Sequence, residues 1–157
     1  MPEGKAGRGG GRAGGGGQKP YGLLEHTADI GMWVWGQDPA ALFAHAALGL
    51  REILAPPPPA PGWRPLEEQR LVELRAPDWE ALLVDWLNEL LYLLDTERLV
   101  PAAAAVELEG TALRARVRME ALPPGQAPRR EPKAATFHGL TITPESGGLC
   151  ARVIFDV

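Results

Sequence analysis

The chain has 157 residues, of which 45% are hydrophobic and 23% charged, enough for one domain with a packed core and too few for two. No apolar run approaches the ~20 residues of a membrane span, and the N-terminal stretch has no apolar segment of signal-peptide type, so the expectation is a cytoplasmic protein without membrane contact. The formal net charge of −4 is uneven: Lys5, Arg8, Arg12 and Lys19 against Glu3 give residues 1–19 a surplus of three positive charges, which leaves the rest at −7. An acidic body is a poor general nucleic-acid binder and a better match for a cation or a basic protein surface.

Residues 1–19 are rich in glycine, have nothing to bury, and predict a disordered tail ahead of a domain over 20–157. A short apolar stretch from Tyr21 to Leu24 precedes the polar turn Glu25–Asp29, and Ile30–Gly36 has the aromatic and β-branched composition of a strand. Asp38 and Pro39 open a helix that should reach Leu54, with Leu42, Phe43, Ala46, Ala47, Leu50, Ile53 and Leu54 at helical spacing. A proline-rich loop over 55–65 follows, then a strand over Gln69–Arg75. Pro77 and Asp78 start the strongest helix, Trp79–Glu97. It is apolar nearly all round, apart from a narrow stripe of Asp85, Asn88, Glu89, Tyr92 and Asp95.

Val106–Leu108 and Leu113–Val117 predict two strands joined through Glu109-Gly110-Thr111. An irregular loop over 121–130 leads to Ala134–His138 and Leu140–Thr143, strand segments interrupted at Gly139. After a turn at Glu145–Gly148, Leu149–Val157 alternates as a final strand. Strands that follow the helices predict an α+β fold: one compact domain, a mixed or antiparallel sheet packed with two main helices. The lone Cys150 reads as a small core residue. Trp33, Trp35, Trp79 and Trp86 read as core rather than as a base-stacking platform, and Trp63 as the exposed one.

Three clusters could carry chemistry. Glu25-His26-Thr27-Ala28-Asp29 is a polar turn between strand candidates, where function often sits. Asp29 fits equally an Asx turn bonding its own backbone, and His26 a structural histidine. In Lys133–His138, strand alternation would put Lys133 and Phe137 on one face and Thr136 and His138 on the other. At the terminus, Asp156 adjoins Val157, and gathered carboxyl oxygens repel one another without a cation or proton between them. An all-oxygen donor set suits a hard cation rather than zinc. No CxxC, HExxH, GxxxxGK[ST] or GxSxG pattern is present, which argues against a metalloprotease, an NTPase and a serine hydrolase.

At these clusters the chain resembles the archease family. The segments EHTADIG (Glu25–Gly31), LLVDWLNELLYLLD (Leu82–Asp95), KAATFHGL (Lys133–Leu140) and ARVIFDV (Ala151–Val157) occur in family order across the folded part of the chain. The resemblance implies an accessory protein rather than an enzyme. Such a protein activates the RtcB-type tRNA-splicing RNA ligase, promotes its guanylylation and multiple turnover, and broadens its nucleotide use. It meets tRNA or other RNA only through the ligase. The resemblance also implies a divalent cation, Ca²⁺ with Mg²⁺ or Mn²⁺ as alternatives, on Asp29 and Asp156 with Val157 adjoining. Lys133 matches the family's functional lysine, and His26 and His138 stand beside it as partner or nucleotide contacts. The loop before Lys133 departs from the family pattern: only Glu131 is acidic there, and Pro132 stands where a β-branched residue is usual. Two other readings stay open. One is a metal-dependent phosphoryl-transfer or hydrolytic enzyme using Asp29, Asp156, His26 and His138. The other is a general protein chaperone.

Overall fold

The computed structural model describes residues 19–24, 29–54 and 67–157. The glycine-rich tail up to residue 18, the greater part of the Glu25–Asp29 turn, and the proline-rich loop with Trp63 lie outside the described residues.

Seven strands and two helices follow in the order β1 (Tyr21–Leu23), β2 (Ile30–Gly36), α1 (Pro39–Leu54), β3 (Glu67–Arg75), α2 (Trp79–Glu97), β4 (Leu99–Glu109), β5 (Ala112–Ala121), β6 (Ala134–Glu145) and β7 (Gly148–Asp156). The strands divide into two antiparallel sheets, one in the order β1-β2-β7-β6 and one in the order β3-β5-β4. The α+β expectation holds. Both helices touch both sheets: α1 meets β1, β2 and β7 on one side and β4 on the other, while α2 meets β6 and all three strands of the second sheet.

The helices form where local chemistry starts them. Asp38 and Asp78 each accept the backbone N–H three residues on, from Ala41 and Ala81 at 2.8 Å, and so satisfy donors that an open helix start leaves orphaned. Helix α2 ends on Arg98, which turns left-handed (φ 58°) and donates its N–H to the carbonyl of Leu94 at 2.9 Å. The helix buries Leu82, Leu83, Trp86, Leu87 and Leu90 completely and leaves Asp85, Tyr92 and Asp95 of the polar stripe exposed, with Asn88 and Glu89 half-buried. Trp86 donates its indole N–H to the Phe43 carbonyl at 2.9 Å, so the bulkiest core side chain also fastens α2 to α1.

In the first sheet Ile30, Met32 and Val34 of β2 face the helices together with Ala151, Val153 and Phe155 of β7, which they oppose directly. Three sequence expectations need correcting. Strands β4 and β5 run well beyond Val106–Leu108 and Leu113–Val117. The two segments around Gly139 are one strand with a break in register. Of the four tryptophans read as core, Trp86 alone is fully buried; Trp33, Trp35 and Trp79 are half-buried, and Trp35 and Trp79 direct their indole N–H to the carbonyls of Glu145 and Gly110. Cys150 is buried as expected.

Candidate functional site

The site is set by one rung of the first sheet. Ile30, the first residue of β2, opposes Phe155 of β7. Asp29 precedes Ile30 and Asp156 follows Phe155, so both acids stand one step beyond that rung, at the same end of the strand pair. Opposed residues in an antiparallel pair lie about 4.5–5.5 Å apart at Cα. Phe155 is fully buried and Asp156 exposed, as alternation along β7 requires, and Asp29 is exposed as well. A backbone bond from the Leu24 N–H to the Gly31 carbonyl (2.9 Å) closes the β1–β2 connection, which carries the Glu25–Asp29 turn. His26 lies outside the described residues.

Strand β6 brings in the third group. Ala134 opposes Asp156, and the Lys133 N–H donates to the Asp156 carbonyl at 2.8 Å. The exposed Lys133 therefore enters the sheet beside the acid, with the exposed Val157 as the next residue of the neighbouring strand. Pro132 before it is buried and has no N–H to give, so Lys133 is the residue that ties this approach to β7.

The simple alternation expected for Lys133–His138 stops at Thr136. Thr136 opposes Ile154 and Thr141 opposes Arg152, so four residues, Phe137 to Leu140, face Val153 alone. This wide bulge is turned by Gly139 at φ 67°, a backbone setting that L side chains rarely adopt. The Thr136 hydroxyl donates to the Ile154 carbonyl at 2.9 Å and accepts the His138 N–H at 3.3 Å, which holds the bulge against β7. His138 is exposed at its tip beside Phe137, itself 61% exposed.

On the far side of β6, helix α2 takes the place of a further strand. The Asn88 side chain accepts the Ala135 N–H (2.7 Å) and donates to the Ala135 carbonyl (3.4 Å). In the sequence Asn88 is only one of a polar stripe, and Thr136 shares a strand face with His138 without a role of its own. The signal for Asn88 was a side-chain amide on a largely buried helix, a group whose separate acceptor and donor can meet the N–H and the C=O of a strand edge.

Among the described residues no group of three or more His, Cys, Asp or Glu side chains gathers to hold a metal. The acids at this end of the strand pair are two, Asp29 and Asp156, and Val157 follows Asp156 in the chain. A concavity of about 900 Å³, lined by Glu73, Arg75, Glu107, Glu109 and Arg114 among others, belongs to the second sheet and includes none of these groups. Among the described residues no helix is long and apolar enough to cross a membrane.

The chain matches the model of the Archease protein family (MTH1598/TM1083) over residues 21–157. It is 34% identical over 143 residues to the archease of Methanothermobacter thermautotrophicus, covering 88% of this chain and 99% of that protein. It is 36% identical to the archease of Methanosarcina mazei, at 88% and 97% coverage. The solution structure of protein 1598 of Methanobacterium thermoautotrophicum superposes with a TM-score of 0.67 at 33% identity, over 88% of this chain and 99% of that one. A crystal structure from Thermotoga maritima, described as an archease and possible chaperone, gives 0.60 at 23% identity over 85% and 94%, a likeness of fold alone.

Proposed function

This chain belongs to the archease family, and from that membership we propose that it is an accessory protein, not an enzyme, that works in the cytoplasm on an RtcB-type tRNA-splicing RNA ligase. It promotes the ligase's guanylylation and repeated turnover and widens its use of nucleotides. RNA is reached through the ligase, in keeping with the acidic body of this chain.

The observation that carries the reading is the shared end of the strand pair: Asp29 and Asp156 stand one step beyond the Ile30–Phe155 rung of β2 and β7, with the Lys133 N–H bonded to the Asp156 carbonyl. Carboxylate and main-chain oxygens are the donors a hard cation takes, so the residues fit Ca²⁺, Mg²⁺ or Mn²⁺ in kind. Bound through one oxygen of each residue, they supply fewer than the six to eight oxygens typical of Ca²⁺. A cation held by Asp29, Asp156 and Val157 would therefore keep coordination positions for water or for a partner's oxygens, and would bring positive charge to bear on the phosphates of a nucleotide there. Lys133 stands beside it as a point charge for a phosphate or a ligase carboxylate. His138, on its bulge, is a further contact of this end of the sheet, and His26 is proposed as another partner or nucleotide contact.

The test is guanylylation of the cognate ligase under single- and multiple-turnover conditions, with Asp29→Ala, Asp156→Ala and the double variant. Each should fold and fail to stimulate. Full stimulation by the folded double variant would sink the proposal. The chaperone reading, which draws on the description of the Thermotoga neighbour, predicts suppressed aggregation of unrelated proteins whether or not Asp29 is present. The enzyme reading predicts turnover of nucleotides or phosphoesters by the isolated protein with metal.

A further inference from the structure

Strand β3 is the outer strand of the second sheet, and among the described residues nothing pairs with its far side. It is nine residues long, contains no proline, and carries Leu71 at its centre, 54% exposed. A strand of this kind offers a row of backbone donors and acceptors to any second strand.

The direction of each backbone group follows from the ladder. In an antiparallel strand the N–H and C=O of one residue point to the same side, and the side alternates along the chain. The Ala76 N–H donates to the Thr111 carbonyl, toward β5. Leu74, Val72 and Arg70 therefore also point to β5, and Arg75, Glu73, Leu71, Gln69 and Glu67 point outward. The Gln69 carbonyl accordingly meets the Arg70 guanidinium (3.2 Å) rather than a strand.

From this edge we infer that a second copy of the chain pairs with β3 across a two-fold axis at Leu71, joining the two three-stranded sheets into one of six strands. The register decides for this axis. It sets Leu71 against the partner's Leu71 as a hydrogen-bonded pair, Gln69 against Glu73, and Glu67 against Arg75, so that opposite charges meet at both ends. Arg75 makes no ion pair among the described residues, and the half-exposed Glu67 shares only a 3.4 Å contact with Arg118. Moving the axis to Glu73 would put that carboxylate against its own copy and bring Gln69 opposite Pro77, which has no N–H. Moving it to Gln69 would use barely half of the strand. Oppositely charged ends around an apolar centre are what an antiparallel self-pairing needs and what a deterrent of like charge would lack.

Sedimentation velocity on the full chain, from low micromolar to near-millimolar, tests this. The expected result is a concentration-dependent dimer. Leu71→Lys, which sets like charges opposite each other, should weaken it at least about tenfold. Arg75→Glu should weaken it too, and adding Glu67→Arg to that variant should bring the dimer back. Leu71→Cys should give a covalent dimer with a short bismaleimide, at a yield Glu73→Cys does not match. These side chains are exposed, and circular dichroism checks that each variant folds. A wild type that stays monomeric throughout overturns the inference, as does a dimer indifferent to Leu71→Lys and Arg75→Glu.

Discussion

The Asn88 amide meets both backbone groups of Ala135, accepting from one and donating to the other, and the strand so held begins at Ala134, directly after Lys133. Its loss leaves a buried main-chain N–H without a partner. Asn88→Ala should lower unfolding stability by about 1–3 kcal/mol. Asn88→Asp keeps the acceptor for the N–H and should cost less than Asn88→Ala; urea denaturation of the two variants ranks them. A Cβ at Gly36 would lie 2.2 Å from the Leu42 nitrogen and 2.5 Å from its Cα, backbone atoms that cannot swing aside. Gly36→Ala should therefore cost at least the upper part of the roughly 1–3 kcal/mol typical of overpacking. In the sequence Gly36 was only the end of a strand, because the close approach of α1 is a property of the packed chain.

Both helices were legible because their boundary signals are local. Asp38 with Pro39 and Asp78 after Pro77 mark the starts within a few residues, and the structure places helices at Pro39–Leu54 and Trp79–Glu97. Asp78→Ala should cost about 1 kcal/mol. Strand β4 was legible only from Val106 onward. Its first half, Leu99–Ala105, is mostly alanine, a poor strand former, and is extended because it pairs with β5 and lies against α1. The bulge in β6 was visible as an interruption at Gly139, but without β7 alongside nothing showed that the strand resumes in the same sheet. The β6–β7 turn carries Ser146 and Gly147 at φ 53° and 79°, both left-handed, the setting of a two-residue turn that prefers Asn-Gly. Ser146→Asn should accordingly raise stability by about 0.5 kcal/mol in thermal or urea unfolding.

At the scale of the whole molecule, the candidate site exists only because the two ends of the folded chain share a sheet. Spacing alone left Asp29 as fitting for a turn as for a ligand, and nothing local connects it with Asp156. The resemblance paired them, and the register of β2 on β7 gives the pair a physical basis. The division into two sheets was not legible either, since strand partnership is set by contacts remote in sequence. If Asp29 and Asp156 share a cation, binding must be linked to folding, because the unfolded chain separates the two acids. Saturating calcium at a hundredfold excess over its dissociation constant would stabilise the fold by about 2.7 kcal/mol, or roughly 5–10 °C in Tm for a domain of this size. The rise should vanish with a chelator and be absent in the Asp29→Ala, Asp156→Ala double variant. Differential scanning calorimetry with and without calcium reads both effects, and an equal calcium shift in wild type and double variant would place the cation elsewhere on the molecule.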